Sequence, residues 1–138
     1  MLQRQLVAGQ SSEEVLYGHM HYVEAVKFAQ CPSLGLLLVT ASWDHDVRVF
    51  QCASNKCIGR LCGHGGWITC LDVRAGWLVT GALDKTLCTW RLDPAQLTHV
   101  HDSRLQRPSV QLQHDADVTA CCWLAPGVLL HVQDAVMA

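Results

Sequence analysis

Apolar side chains recur at the same spacing after three histidines, His19, His64 and His114. Positions four, seven and nine residues after each histidine are apolar, and they are occupied by Val23, Val26, Phe28, Ile68, Leu71, Val73, Val118, Cys121 and Trp123. Short apolar segments of this kind are typical of β-strands with a buried face. The repetition predicts that the chain contains three copies of one structural unit.

Each copy continues with an apolar run that is closed by a single aspartate. The runs and their aspartates are 34–41 with Asp44, 76–82 with Asp84, and 127–132 with Asp134. Short alternating segments follow at 47–50 and 87–90. Asp44 and Asp84 lie 40 residues apart, which is the length of a unit of four short strands. The pattern therefore predicts an all-β chain.

The motifs within this pattern resemble those of the WD-repeat family of β-propellers. Gly18-His19 and Gly63-His64 resemble the Gly-His near the start of a blade, and the segments 40–50 (TASWDHDVRVF) and 80–90 (TGALDKTLCTW) resemble its Trp-Asp region. The resemblance covers roughly residues 15–134. It implies four-stranded antiparallel WD-repeat blades, each built on the repeated unit.

Counting the repeated units gives an incomplete β-propeller. We expect a poorly ordered leader at 1–14 and a partial propeller at 15–138, divided into a blade at 18–62, a blade at 63–113 with a long loop at 93–108, and an incomplete blade at 114–138. Propellers close with four to eight blades, so these units leave a bare blade face at each end. A fragment or truncated isoform of a larger propeller is the favoured explanation. Completion by other subunits or copies and an open stack of blades are the alternatives.

The resemblance also implies a buried hydrogen-bond network in each blade. It links the histidine, a threonine on the second strand, the turn aspartate and a tryptophan on the third strand. The second blade has all four members and the first has three, which gives the set His64, Thr80, Asp84, Trp90, His19, Thr40 and Asp44. Phe50 stands in the tryptophan position of the first blade. The third unit has His114 and Asp134, with Leu130 assigned to the threonine position.

Partner-facing positions of the family lie on the loops at one face of the propeller, the top face. They fall three and five residues after the histidine and one before the aspartate. In the first two blades the matching residues are Tyr22, Glu24, Trp43, Trp67, Thr69 and Leu83. We expect the two tryptophans and the tyrosine to form an aromatic patch, the residue type that anchors protein interfaces. The alternative is that Trp67 packs beneath its own loop.

Composition and charge exclude several classes of partner. The chain has 138 residues, with 10 Lys and Arg against 12 Asp and Glu, and a formal net charge of −2. Nucleic-acid binding needs a basic surface, which this balance does not supply. No apolar stretch reaches the length of a membrane span, and the N-terminus does not resemble a signal peptide. We expect a cytoplasmic protein, with the nucleus as the alternative.

No motif in the chain points to a metal, a cofactor or catalysis. The eight cysteines lie mostly in apolar runs, where a free thiol behaves as a small hydrophobe. Cys52, Cys57, Cys62 and His64 lack the paired spacing of a structural zinc site. The His, Thr and Asp set recurs in successive repeats, unlike a catalytic triad, and no nucleophile motif is present. We expect no catalytic residues, no bound metal and no cofactor.

These observations predict a non-catalytic scaffold or adaptor that binds other proteins or peptides, for example a substrate-recruiting subunit of a multiprotein complex. The alternative is a truncated regulatory product without a ligand site of its own. Such a product would act, or self-associate, through its exposed blade edges.

Overall fold

The computed structural model describes residues 3–5, 12–94, 108–125 and 127–133, and the elements assigned there are all β-strands. In chain order they are β1 (Gln3–Gln5), β2 (Ser12–Glu14), β3 (Val23–Cys31), β4 (Gly35–Ser42), β5 (Asp46–Gln51), β6 (Lys56–Cys62), β7 (Ile68–Arg74), β8 (Trp77–Ala82), β9 (Thr86–Arg91), β10 (Val110–Gln113), β11 (Val118–Ala125) and β12 (Val128–Gln133). No helix in this part of the chain is long and apolar enough to span a bilayer.

The strands form two four-stranded antiparallel sheets and two hairpins. The first blade is the sheet β3-β4-β5-β6, and the second blade is the sheet β7-β8-β9-β10. The third unit is the hairpin β11-β12. Each sheet has the strand order of the chain, as expected for a propeller blade. The predicted fold class, four-stranded antiparallel blades in an incomplete propeller, is confirmed.

The remaining hairpin lies in the segment expected to be a poorly ordered leader. There β1 pairs with β2, with Gln3 opposite Glu14. The long loop expected at 93–108 is described only at its two ends, so most of it lies outside the described residues, as does Asp134.

The tight turns between strands use a left-handed backbone. Ala75 and Gly76 join β7 to β8, and both have positive φ, 50° and 79°. Positive φ at both central residues suits the right-handed twist of a hairpin. In the β4-β5 and β8-β9 turns the positive-φ residues are His45 and Lys85, each directly after the turn aspartate.

The main core lies between the first and second blades. The first blade contributes the buried residues Ala29, Cys31, Leu37, Val39, Ala41, Val47, Val49 and Leu61, and the second contributes Ile68, Leu71, Leu78, Ala82, Cys88, Trp90 and Leu92. Neither sheet buries both faces by itself, so each blade depends on its neighbour for a core.

A smaller core joins the second blade to the third unit. Val79, Leu87 and Val118 are buried there, with Cys70, Cys121, Trp123 and Leu129 packed against them. The approach is close at Gly81, where an added Cβ would lie 2.5 Å from Cγ1 of Val118. Only glycine therefore fits this position without displacing the third unit.

The outer faces of the stack carry exposed apolar side chains. On the first blade Val26 and Phe28 are 53% and 65% exposed, although their counterparts in the second blade, Leu71 and Val73, pack into the main core. At the other end Leu124, Leu130 and Val132 of the third unit are exposed. The first blade's outer face is covered in part, because the segment 14–19 lies beside Leu38 and Phe50, and Phe50 is buried. Within the described residues, this face stays open at β3.

The third unit is one residue out of step with the spacing of the repeats. Thr80 pairs with Leu71 in the second blade, but Cys121, the counterpart of Leu71, pairs with His131. A β-bulge between Trp123 and Ala125 takes up the additional residue. The assignment of Leu130 to the threonine position was wrong: His131 occupies it, and Leu130 turns to the exposed face.

Candidate functional site

The second blade carries a continuous hydrogen-bond network beneath its top loops. The indole Nε1 of Trp90 donates to Oγ1 of Thr80 over 3.0 Å, and this hydroxyl lies 2.6 Å from Nε2 of His64. The other ring nitrogen of His64, Nδ1, lies 3.3 Å from Oδ2 of Asp84. All four residues named from the sequence are therefore brought together. They tie the loop that enters the blade to β8, to β9 and to the turn between them.

Asp84, the carboxylate of this network, accepts several further hydrogen bonds. The backbone N–H groups of Gly65 and Thr86 donate to it over 2.8 and 3.1 Å, and the Thr86 hydroxyl donates to it as well. Burial alone would raise the pKa of Asp84. The hydrogen bonds from His64, Thr86 and Gly65 outweigh burial and hold the pKa far below its usual value of 3.8.

We expect this pKa shift to make Asp84 a source of stability that acid removes. A carboxyl whose pKa is depressed on folding stabilises the fold above its unfolded pKa and loses that contribution as pH falls through the folded pKa. Asp84→Asn is expected to cost about 2 kcal/mol at neutral pH, as for hydrogen bonds to a charged group. Urea unfolding near pH 7, 5 and 3 measures this difference. It should shrink below pH 3.8, the unfolded value, and a difference that stays constant would contradict the assignment.

The first blade contains the same network without its last member. His19 contacts Thr40 through Nε2 at 2.6 Å and Asp44 through Nδ1 at 2.9 Å. Asp44 also accepts the N–H of Met20 at 2.9 Å. Burial raises the pKa of Asp44, but these bonds and its other hydrogen bonds lower it overall. Phe50 is buried but offers no donor, so the Thr40 hydroxyl lacks the indole partner and lies 3.4 Å from the carbonyl of Arg48 instead.

Two backbone hydrogen bonds connect the turns held by these networks to the loops of the top face. The N–H of Trp43 donates to the carbonyl of Tyr22 over 3.0 Å, and the N–H of Leu83 donates to that of Trp67 over 2.9 Å. Each bond connects the residue before a turn aspartate to the loop after a Gly-His. The aromatic side chains on these loops therefore stand on a fixed backbone.

Four rings from the two blades form one aromatic cluster: His21, Tyr22, Trp43 and Trp67. The indoles of Trp43 and Trp67 stack with their centroids 3.8 Å apart and their planes 4° apart. Tyr22 meets Trp43 edge-on at 5.2 Å, and His21 lies 5.4 Å from the same ring. Tyr22 is 68% exposed and Trp67 is 42% exposed, so much of the cluster faces solvent. The stack crosses the boundary between the first and second blades.

A family model described as "WD domain, G-beta repeat" matches residues 10–51 and 55–91, which is more than half of the chain. The chain belongs to the WD-repeat family. The matched ranges contain both hydrogen-bond networks and the whole aromatic cluster. The third unit lies outside them.

WD-repeat relatives cover a large part of this chain. Mitochondrial division protein 1 of Schizosaccharomyces pombe is 30% identical over 123 residues, which are 81% of this chain and 18% of that protein. Nuclear distribution protein PAC1-2 of Uncinocarpus reesii is 30% identical over 118 residues, 80% of this chain and 24% of that protein. Nuclear distribution protein PAC1 of Zygosaccharomyces rouxii is 36% identical over 76 residues, 51% of this chain and 17% of that protein. The chain thus spans about a fifth of the length of these relatives.

The other residues assigned to the WD-repeat top face differ in their surroundings. Glu24 is exposed on β3, and Leu83 is half-buried in the β8-β9 turn. Thr69 does not fit a partner-facing role, because its hydroxyl lies 2.6 Å from the carbonyl of Val118 and joins the second blade to the third unit. His21, which falls outside the family's partner-facing positions, was not predicted and belongs to the cluster.

Two further polar residues at the WD-repeat turns were not predicted. Thr86 lies 2.9 Å from Nδ1 of His64, and Asp46 occupies the same place in the first blade. Asp46 instead accepts hydrogen bonds from Nε of Arg60 at 2.6 Å and from the Cys62 thiol at 3.0 Å. Both residues follow the turn aspartate by two positions, a repeat that could have identified them.

In the third unit only a remnant of the network is described. The rings of His114 and His131 lie 4.5 Å apart, where the second blade has His64 and Thr80. Burial, together with the neighbouring His131, lowers the pKa of His114. Among the described residues, no group of three or more His, Cys, Asp or Glu is arranged to hold a metal ion.

Proposed function

We propose that this chain is a non-catalytic protein-interaction scaffold that binds a partner protein or peptide through the aromatic cluster. The observation that carries the proposal is the exposed stack of Trp43 on Trp67. Tryptophan and tyrosine dominate the energetics of protein interfaces, because they bury a large area for little loss of side-chain entropy. Tyr22, Trp43 and Trp67 belong to neither hydrophobic core, so packing of the blades does not explain their position.

The backbone under the cluster supports a pre-organised binding surface. Tyr22 and Trp67 are held by hydrogen bonds to the turn residues Trp43 and Leu83, and those turns are fixed by Asp44 and Asp84. A surface that is rigid before binding loses less entropy when the partner arrives. The flat indole face suits an apolar partner segment, with Glu24 and His45 as exposed polar residues on the same blade.

We further propose that the blades work within a larger propeller. In the described residues, the two four-stranded blades and the β11-β12 hairpin fall short of the four blades that close a ring, and apolar side chains are exposed at both ends of the stack. The much greater length of the relatives is consistent with this. Within such a propeller, we propose that the aromatic cluster gives the chain an adaptor or substrate-recruiting role.

The alternative function, binding through the exposed blade edges, rests on the same exposed apolar side chains. Val26 and Phe28 at one end and Leu124 at the other are large, apolar and exposed. Such surfaces favour association with another chain. This function would leave the aromatic cluster without a role.

A peptide selection on the purified chain tests the proposal. Peptides are selected from a random displayed library, and their affinity is measured for the chain and for the Trp43→Ala/Trp67→Ala variant. We expect the double variant to raise Kd by about 30-fold or more, the loss that a hot spot of roughly 2 kcal/mol or greater produces. Far-UV circular dichroism and thermal unfolding report whether the variant keeps its fold.

The matched control is Trp77→Ala. Trp77 is 38% exposed, close to Trp67, but it begins β8 at the opposite end of the blade. Its replacement should leave the affinity unchanged. Selected peptides that bind the double variant as tightly as the original chain would show that the cluster is not the binding surface.

A further inference from the structure

Two cysteines meet where the second blade contacts the third unit. Cys70 lies on β7 and Cys121 on β11, and their Sγ atoms are 2.9 Å apart. Both residues are partly exposed and neither is in a disulfide. They are 51 positions apart in the chain, so the fold, not the local sequence, brings them together.

Hydrogen bonds on both sides hold the two strands at this separation. The hydroxyl of Thr69 lies 2.6 Å from the carbonyl of Val118, and the carboxylate of Asp72 accepts the N–H of Trp123 at 2.9 Å. One bond comes before the cysteine and the other after it on each strand. The thiols therefore face each other across a joint that is fixed at two points.

The surroundings also prepare one of the thiols to react. A hydrogen bond with Cys121 lowers the pKa of Cys70 against the effect of burial, with help from Thr69 and the backbone N–H of Gly81. The thiolate is the nucleophile in disulfide exchange. The other thiol of the second blade, Cys88, is less reactive, because burial and the charge of Asp84 raise its pKa to about 12.

We propose that Cys70 and Cys121 form a reversible disulfide that locks the third unit onto the second blade. A small disulfide of the glutathione class serves as the oxidant. The Cys70 thiolate attacks one of its sulfurs, which forms a mixed disulfide and releases one small thiol. Cys121 then loses its proton and attacks the sulfur of Cys70, which releases the second small thiol. The chain gives up two electrons and two protons, and the small disulfide is reduced to two thiols.

The test is to oxidise the full chain with oxidised glutathione, block the remaining thiols and identify linked peptides after trypsin. Peptide 61–74, which holds Cys62 and Cys70, should be joined to peptide 105–138, which holds Cys121 and Cys122, with fragmentation placing the bond at Cys70 and Cys121. The oxidised chain should also melt higher by about 10 °C, because the bond closes a long loop. The same oxidation in guanidinium chloride should give a mixture of pairs.

Two matched variants separate this pair from its neighbours. Cys121→Ser should abolish the link, whereas Cys122→Ser, which changes the exposed thiol on the other side of the strand, should leave it intact. Cys70→Ala repeats the test with a smaller, apolar side chain. The proposal is overturned if the folded chain gives the same mixture as the denatured chain, or if the bond forms through Cys62 or Cys122.

Discussion

Aspartate in place of Leu71 is expected to unfold the chain, whereas aspartate in place of the equivalent Val26 is expected to leave it folded. The two residues occupy the same position in successive blades. Leu71 is 4% exposed in the core between the blades, and a carboxylate there would be buried without a partner. Val26 is 53% exposed on the outer face of the first blade, so an aspartate there keeps its contact with solvent.

The expected costs differ by several kcal/mol. Leu71→Asp should lower the free energy of unfolding by more than about 4 kcal/mol, which is most of the stability of an ordinary domain. Val26→Asp should change it by less than about 1 kcal/mol. Urea titrations followed by tryptophan fluorescence measure both. Equal losses at the two positions would mean that the face of Val26 is covered in solution, contrary to the architecture described above.

Trp90→Ala is expected to destabilise the second blade almost as strongly as Leu71→Asp. Trp90 is fully buried, packs in the main core and donates the hydrogen bond that completes the network at Thr80. Truncation of a buried tryptophan leaves a cavity and costs about 3–5 kcal/mol. The Thr80 hydroxyl would also lose its indole donor.

Trp90→Phe separates the hydrogen bond from the packing. This replacement gives the second blade the residue that the first blade already has at Phe50. It keeps most of the ring volume and removes the donor, so we expect a loss of about 1–2 kcal/mol. Thermal unfolding by calorimetry compares the two variants. A phenylalanine variant as unstable as the alanine variant would show that the donor, not the packing, is the larger contribution.

Much of the fold and of the networks follows from the sequence, because both depend on local periodicity. The spacing after His64 places Leu71 in the core, and the common offset of 40 places Thr40 and Thr80 on equivalent strands. The aromatic cluster follows as well, because Trp43 and Trp67 lie on loops that the blade geometry makes neighbours. Spacing along the chain could not give the stacked geometry of their rings.

The contacts that the sequence did not reveal depend on irregular backbone or on neighbours distant in the chain. The bulge between Trp123 and Ala125 places His131, and not Leu130, opposite Cys121. No residue type in the sequence indicates this bulge. The bond between Thr69 and Val118 depends on how closely the third unit approaches. Repeat spacing therefore predicts the contacts within a blade well and the contacts between neighbouring units poorly.

Hydrogen–deuterium exchange on the chain with and without a selected peptide tests the central claim most directly. The proposed function requires protection of the backbone amides in the top loops, at residues 19–22, 43–45 and 65–67, with little change in β3 or β12. Protection confined to β3 or to the β11-β12 hairpin, with the top loops unchanged, would contradict it and would assign binding to the blade edges.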